Sequence, residues 1–86
     1  MRNPKRIREL TSLLEELWIE LPDLRFNQLL YNLHAEYSRQ NSDYGLVKEV
    51  EVDGFTKIGF DFFSLEDDEF IEYLRSKLVK VKYVKT

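Results

Sequence analysis

Residues 22–34 read PDLRFNQLLYNLH. A proline and an aspartate open the stretch, polar residues alternate with large apolar ones, and the chain's only histidine closes it. Phe26, Leu29, Leu30, Leu33 and Tyr37 follow the i, i+3, i+4, i+7 and i+11 spacing of one packed helix face. The pattern predicts a helix from Leu24 to about Gln40, with Asp23 as its N-cap. Pro22 ends whatever helix precedes it, because it lacks an amide hydrogen and restricts the residue before it. The stretch is therefore a corner followed by a packing surface.

Working back from that corner, Ile7, Leu10, Leu14, Leu17 and Leu21 recur at helical spacing, widened by Leu13 and Trp18. A first helix is expected from Pro4 to Leu21, with Asn3 as cap and Pro4 in the first helical position. Glu9, Glu15, Glu16 and Glu20 fall on the complementary surface. Only Pro22 and Asp23 would separate the two helices, so a helical hairpin or sharp corner is expected, with Leu17, Leu21 and Phe26 meeting there.

Working forward, SRQNSDYG (38–45) reads as a break, since Ser, Asn, Asp and Gly favour turns over helical hydrogen bonding. LVKEVEVDGFTKIGFDFF (46–63) follows, and its Asp53–Gly54 pair predicts a two-residue hairpin turn. That turn would place Val52 opposite Phe55, Val50 opposite Lys57, Glu49 opposite Ile58 and Val47 opposite Phe60. Neither face of such a hairpin is cleanly apolar. Ser64 and Asp67 then suggest a capping box for a third helix, packed through Phe70, Ile71, Leu74, Leu78 and Val81. Residues 78–85 fit either the end of that helix or a strand. The fold expected is α+β or mainly α, a three-helix domain with a small β-hairpin between helices two and three.

Eighty-six residues suit one small domain. The absence of cysteine removes disulfides, thiolate catalysis and Cys-based zinc sites. No apolar run reaches the roughly 20 residues of a bilayer span. The basic start followed by Glu15, Glu16 and Glu20 does not read as a secretory signal, so the expectation is a cytoplasmic protein.

The net charge of −3 conceals a strong segregation. Residues 43–72 hold ten acidic and two basic side chains, whereas residues 73–86 hold five basic and none acidic. Asp68, Glu69 and Glu72 form an acidic surface suited to a protein partner with a basic patch, and Phe55 or Tyr44 can anchor it. Arg25 and the helical neighbours Gln28 and Asn32 are further candidate protein contacts. Arg6, Arg8, Lys80 and Lys82 are the candidate phosphate contacts of an alternative, nucleic-acid-binding reading. Spare aromatic residues can serve a core or a homo-oligomer interface.

Catalytic readings rank below these two. LEDDEFIEYL lacks the spacing of a calcium-binding loop, and nothing selects a working pair of carboxylates. His34 has no neighbouring ligand pattern, and Ser64 has neither a nucleophile elbow nor a base. No cofactor or metal is expected.

LLEELWIELPDLRFNQLLYNL and DFFSLEDDEFIEYL together resemble a family of short uncharacterised bacterial and prophage proteins. The matching positions are Trp18, Pro22, Asp23, Leu24, Arg25, Gln28, Leu29, Leu30, Asn32, Phe62, Phe63, Glu66 and Asp67. The blocks cover less than half the chain, and residues 44–60 and the lysine-rich tail depart from the pattern. The resemblance implies a helical pair with Arg25 as a shared feature, and no catalytic residue, cofactor or substrate. The function expected is a non-enzymatic accessory or regulatory protein, phage-related in origin, that binds another macromolecule.

Overall fold

The computed structural model describes residues 2–84, with only the backbone of Val84. The elements are α1 (Lys5–Glu20), α2 (Phe26–Gln40), β1 (Leu46–Val50), β2 (Thr56–Phe60) and α3 (Asp67–Val84). This is the expected three-helix domain with a short hairpin between the second and third helices. Its contacts divide into two compact units, residues 2–26 with 65–84, and residues 27–64.

The first unit is built on the packing of α1 against α3. Asn3 Oδ1 accepts the Lys5 amide hydrogen at 2.9 Å, and Pro4 already has helical angles, so Asn3 caps α1 as its side chain predicts. Leu17 of α1 and Ile71, Tyr73, Leu74 and Leu78 of α3 are buried. The α3 face read from the sequence is thus the face that packs. Ile7 and Trp18, at the margin of the α1 stripe, are exposed instead.

The corner is longer than the two residues expected. Leu21 leaves the helix, and the Leu24 amide bonds back to the Leu21 carbonyl at 3.2 Å, closing a turn across Pro22 and Asp23. Asp23 is therefore inside the turn and not at the N-cap of α2, which starts at Phe26. Trp18 clamps the corner: its Nε1 donates to the Leu24 carbonyl at 2.8 Å, and its ring lies 5.4 Å from that of Phe26.

In the second unit, α2 buries Leu29, Leu33, Tyr37 and Ser38. Ser38, expected at the start of the break, is still helical, and the break occupies Asn41–Gly45. Its geometry is that of a Schellman-type cap, in which the Asp43 amide reaches back to the Ser38 carbonyl at 2.8 Å. Ser42 and Asp43 take left-handed angles there, φ 57° and 62°. Gly45 follows at φ 73°, where a Cβ would stand 2.6 Å from the Asp61 carbonyl oxygen and 2.8 Å from the Phe62 ring. No other residue fits that position without displacement.

The hairpin forms in a register shifted by one residue from expectation. Leu46 pairs with Phe60, Val47 with Gly59, Lys48 with Ile58, Glu49 with Lys57 and Val50 with Thr56. The cause is a three-residue loop, Val52–Asp53–Gly54, in place of a two-residue one. Gly54 donates to the Glu51 carbonyl at 2.9 Å, and Glu51 donates to the Phe55 carbonyl at 2.7 Å. Gly54 alone takes a positive φ, 90°, whereas a type I′ turn would need one at Asp53 as well. Asp53 Oδ1 instead accepts the Phe55 amide hydrogen at 3.1 Å. The slip pairs Glu49 with Lys57 and puts Leu46, Val50, Ile58 and Phe60 on one face.

One further expectation changes at α3, and one open alternative is decided. Ser64 lies in a turn before the helix, so the Ser64–Asp67 capping box does not form. The Glu69 and Phe70 amides instead bond to the Glu66 carbonyl. The ambiguous segment from Leu78 is helical through Val84, and Lys85 lies outside the described residues.

Candidate interaction surfaces

The N-terminal arginines meet the start of α3. Arg6 Nε donates to Asp67 Oδ2 at 2.7 Å, while Arg2 bonds Glu66 at 3.0–3.1 Å and approaches Asp67 at 3.8 Å. These carboxylates also complement the positive end of the helix. One turn further along α1, Glu9 pairs with Arg75 of α3. Glu9 therefore belongs to the packed side of α1 and not to the complementary surface expected for it. Lys5, Arg6 and Glu9 face Asp68, Ile71 and Glu72 across an open groove of about 390 Å³. Arg6, taken from the sequence as a phosphate contact, is thus part of the charge pairing that joins two helices.

The remaining basic candidates do not gather beside it. Arg8 is exposed on α1, and Lys80 and Lys82 are exposed on α3. Asp67, the partner of Arg6, lies 15 residues before Lys82 (82 − 67), about 22 Å along the helix.

The acidic candidates, by contrast, share one surface. Asp68, Glu69 and Glu72 are all exposed on the first turns of α3. Positions 68, 72, 79 and 83 fall on one side of the helix. Val79 and Tyr83, at the far end of that side, are 67 % and 80 % exposed. The face therefore runs from three carboxylates to two apolar groups, with Lys80 and Lys82 flanking the apolar end. The sequence leaves residues 78–85 open between helix and strand, and in the strand Val79, Val81 and Tyr83 would share a side against Lys80 and Lys82. The helical count from Asp68 reaches Val79 and Tyr83 only once residues 78–84 are known to be helical.

Arg25 is exposed in the connection immediately before α2, while Gln28 and Asn32 are exposed four residues apart on the helix itself. Arg25 is thus not a helical neighbour of that pair.

His34 packs its ring 4.5 Å from Phe62. Burial holds its imidazole below the ordinary pKa of 6.5, favouring the neutral form. Phe62 also meets Tyr37, Tyr44 and Phe60 at 5.4, 5.7 and 6.3 Å between ring centres, and Tyr31 meets Phe60 at 5.5 Å. This aromatic cluster, centred on Phe62, was missed in the sequence, although Tyr31, His34 and Tyr37 recur every three residues. Tyr44 is part of the cluster; Phe55, at the hairpin loop, is exposed.

Among the described residues, no group of three or more His, Asp or Glu side chains is placed to hold a metal ion, and no helix is long and apolar enough to cross a membrane. No protein-family model, curated protein or solved structure matches the chain.

Proposed function

We propose that this protein is a non-enzymatic accessory or regulatory factor that binds a protein partner through the solvent face of α3. The observation that carries the reading is the composition of that face: Asp68, Glu69 and Glu72 at one end, exposed Val79 and Tyr83 at the other. Carboxylates attract a basic patch over a distance of several ångströms and speed encounter. Apolar groups beside them supply the desolvated contact that keeps a complex together. Lys80 and Lys82 repel the basic patch from the opposite end, so the partner can seat in one direction only.

The sequence resemblance fits a folding pattern carried by short bacterial and prophage proteins. Trp18 and Pro22 shape the corner, Phe62 centres the aromatic cluster, and Glu66 and Asp67 pair with Arg2 and Arg6. Under this reading the shared residues hold the scaffold, and the α3 face is the part that addresses a partner.

The test is affinity capture from the native host with the wild-type chain, the triple variant Asp68→Lys, Glu69→Lys, Glu72→Lys, and the single variant Tyr83→Ala. A specific protein recovered by the wild type, lost with the triple variant and reduced with Tyr83→Ala supports the proposal. Recovery of the same protein by all three sinks it. DNA and RNA binding over a salt series, with Arg8, Lys80 and Lys82 neutralised, addresses the alternative: salt-sensitive binding abolished by those changes would replace the protein reading with a nucleic-acid one.

A further inference from the structure

Among the described residues the sheet contains only β1 and β2, which gives the hairpin two outer edges. Which backbone groups face outward follows from the bonds at its ends. Residues 51 and 55 are joined by a backbone bond at the loop, and Asp61 donates to the Gly45 carbonyl at 2.8 Å at the base. Hydrogen-bonded pairs alternate along an antiparallel ladder, so the inward-bonding residues are the odd-numbered ones. The amides and carbonyls of Leu46, Lys48 and Val50 therefore point away from β2, and those of Thr56, Ile58 and Phe60 point away from β1.

The two edges differ in what they would meet in a second copy of themselves. Antiparallel pairing of β1 with β1 about its central residue, the register that joins all three outward-pointing residues of each strand, sets Lys48 against Lys48. Like charges directly opposite one another disfavour that register, as on the guarded edges of natural sheets. Antiparallel pairing of β2 with β2 about Ile58 has no such conflict. Ile58 meets Ile58, Thr56 meets Phe60, and Lys57 meets Gly59. The outward-pointing groups of 56, 58 and 60 are those that this register brings together, each opposed pair exchanging two bonds.

Two features of β2 point to the same occupant. Ile58 is 46 % exposed in mid-strand, where a soluble edge would carry a charge. Gly59 weakens a strand, yet a Cβ placed there would meet nothing within 4 Å, so the fold of the single chain does not demand glycine. In the paired register Gly59 leaves room for the stem of the opposing Lys57.

We propose that the chain forms a homodimer by antiparallel pairing of β2 with β2 of a second copy, centred on Ile58, to give a four-stranded sheet. This proposal does not rest on the α3 face. The sedimentation of the full chain should pass from one chain mass to two as concentration rises from micromolar to millimolar. Ile58→Pro removes an outward-facing amide hydrogen and fixes φ at about −65°, leaving the inward bonds to β1 in place, and Ile58→Lys places like charges together; both should be monomers. Lys48→Pro makes the same backbone change on the other edge and should remain a dimer. Because the chain has no cysteine, single Ile58→Cys and Lys48→Cys variants can be treated with a short bismaleimide. Cross-linked dimer from the first and not the second is expected. Circular dichroism checks that each variant is folded, and Ile58→Lys decides the matter if the proline variant is not. A wild type that is monomeric at every concentration, an undiminished dimer in folded Ile58→Lys, or equal cross-linking at 58 and 48 would overturn the proposal, the first leaving the β2 edge to a foreign strand.

Discussion

At the scale of single residues, the chemistry of this chain lies in placement more than in reactivity. His34 is an example. Its partly buried ring against Phe62 favours the neutral imidazole, so the folded state takes up a proton less readily than the unfolded one. Below pH about 6.5 the unfolded chain then binds more protons, and stability falls as pH falls, until the folded histidine is protonated too. His34→Phe keeps an aromatic surface on Phe62 without the titration. Denaturant unfolding between pH 7.5 and about 5.5 should show the wild type losing stability relative to His34→Phe; parallel curves would contradict this. Gly45 is the opposite kind of residue, chemically inert and irreplaceable in shape. Gly45→Ala combines a left-handed φ with a Cβ driven into the Asp61 carbonyl, and should cost at least about 2 kcal/mol in the same unfolding assay.

At the scale of elements, helices were more legible in the sequence than their ends. The periodicity of Leu29, Leu33 and Tyr37 marks a face whichever residue begins the helix, and those residues are buried. Asp23 and Ser64 look like caps because their side chains can cap, but each was captured by a turn just upstream of the helix. The hairpin shows the same limit. Asp53–Gly54 fits both a two-residue and a three-residue loop, and the choice moves every side chain of one strand to the other face relative to its partner. The Glu49–Lys57 match favours the observed register and was available in the sequence. Long-range pairing was less legible, since Arg2, Arg6 and Glu9 find partners about sixty residues away through the packing of α1 on α3. A double-mutant cycle with Arg6→Gln and Asp67→Asn should give a coupling of about 0.5–1 kcal/mol that shrinks with added salt, both groups being partly exposed. Zero coupling at low salt would remove Arg6 from the scaffold and return it to the exposed surface.

At the scale of the whole molecule, the segregation of charge along the sequence becomes a division of labour. The basic N-terminus is drawn to Glu66 and Asp67, which leaves Asp68, Glu69 and Glu72 facing solvent on the same helix. The acidity of this surface was legible from composition. Its continuation into Val79 and Tyr83 was not, because residues 78–84 had to be known as helix before they could share a side with Asp68. Protein binding of the proposed kind requires that face to act as a unit. Its most direct measurement is the association rate of the captured partner with wild-type chain and with the folded Asp68→Lys, Glu69→Lys, Glu72→Lys variant, over a range of ionic strength. The expected result is association slowed by about tenfold or more at low salt in the variant, with the difference closing as salt is raised. Equal association rates at low salt would contradict the assignment of the α3 face as the docking surface.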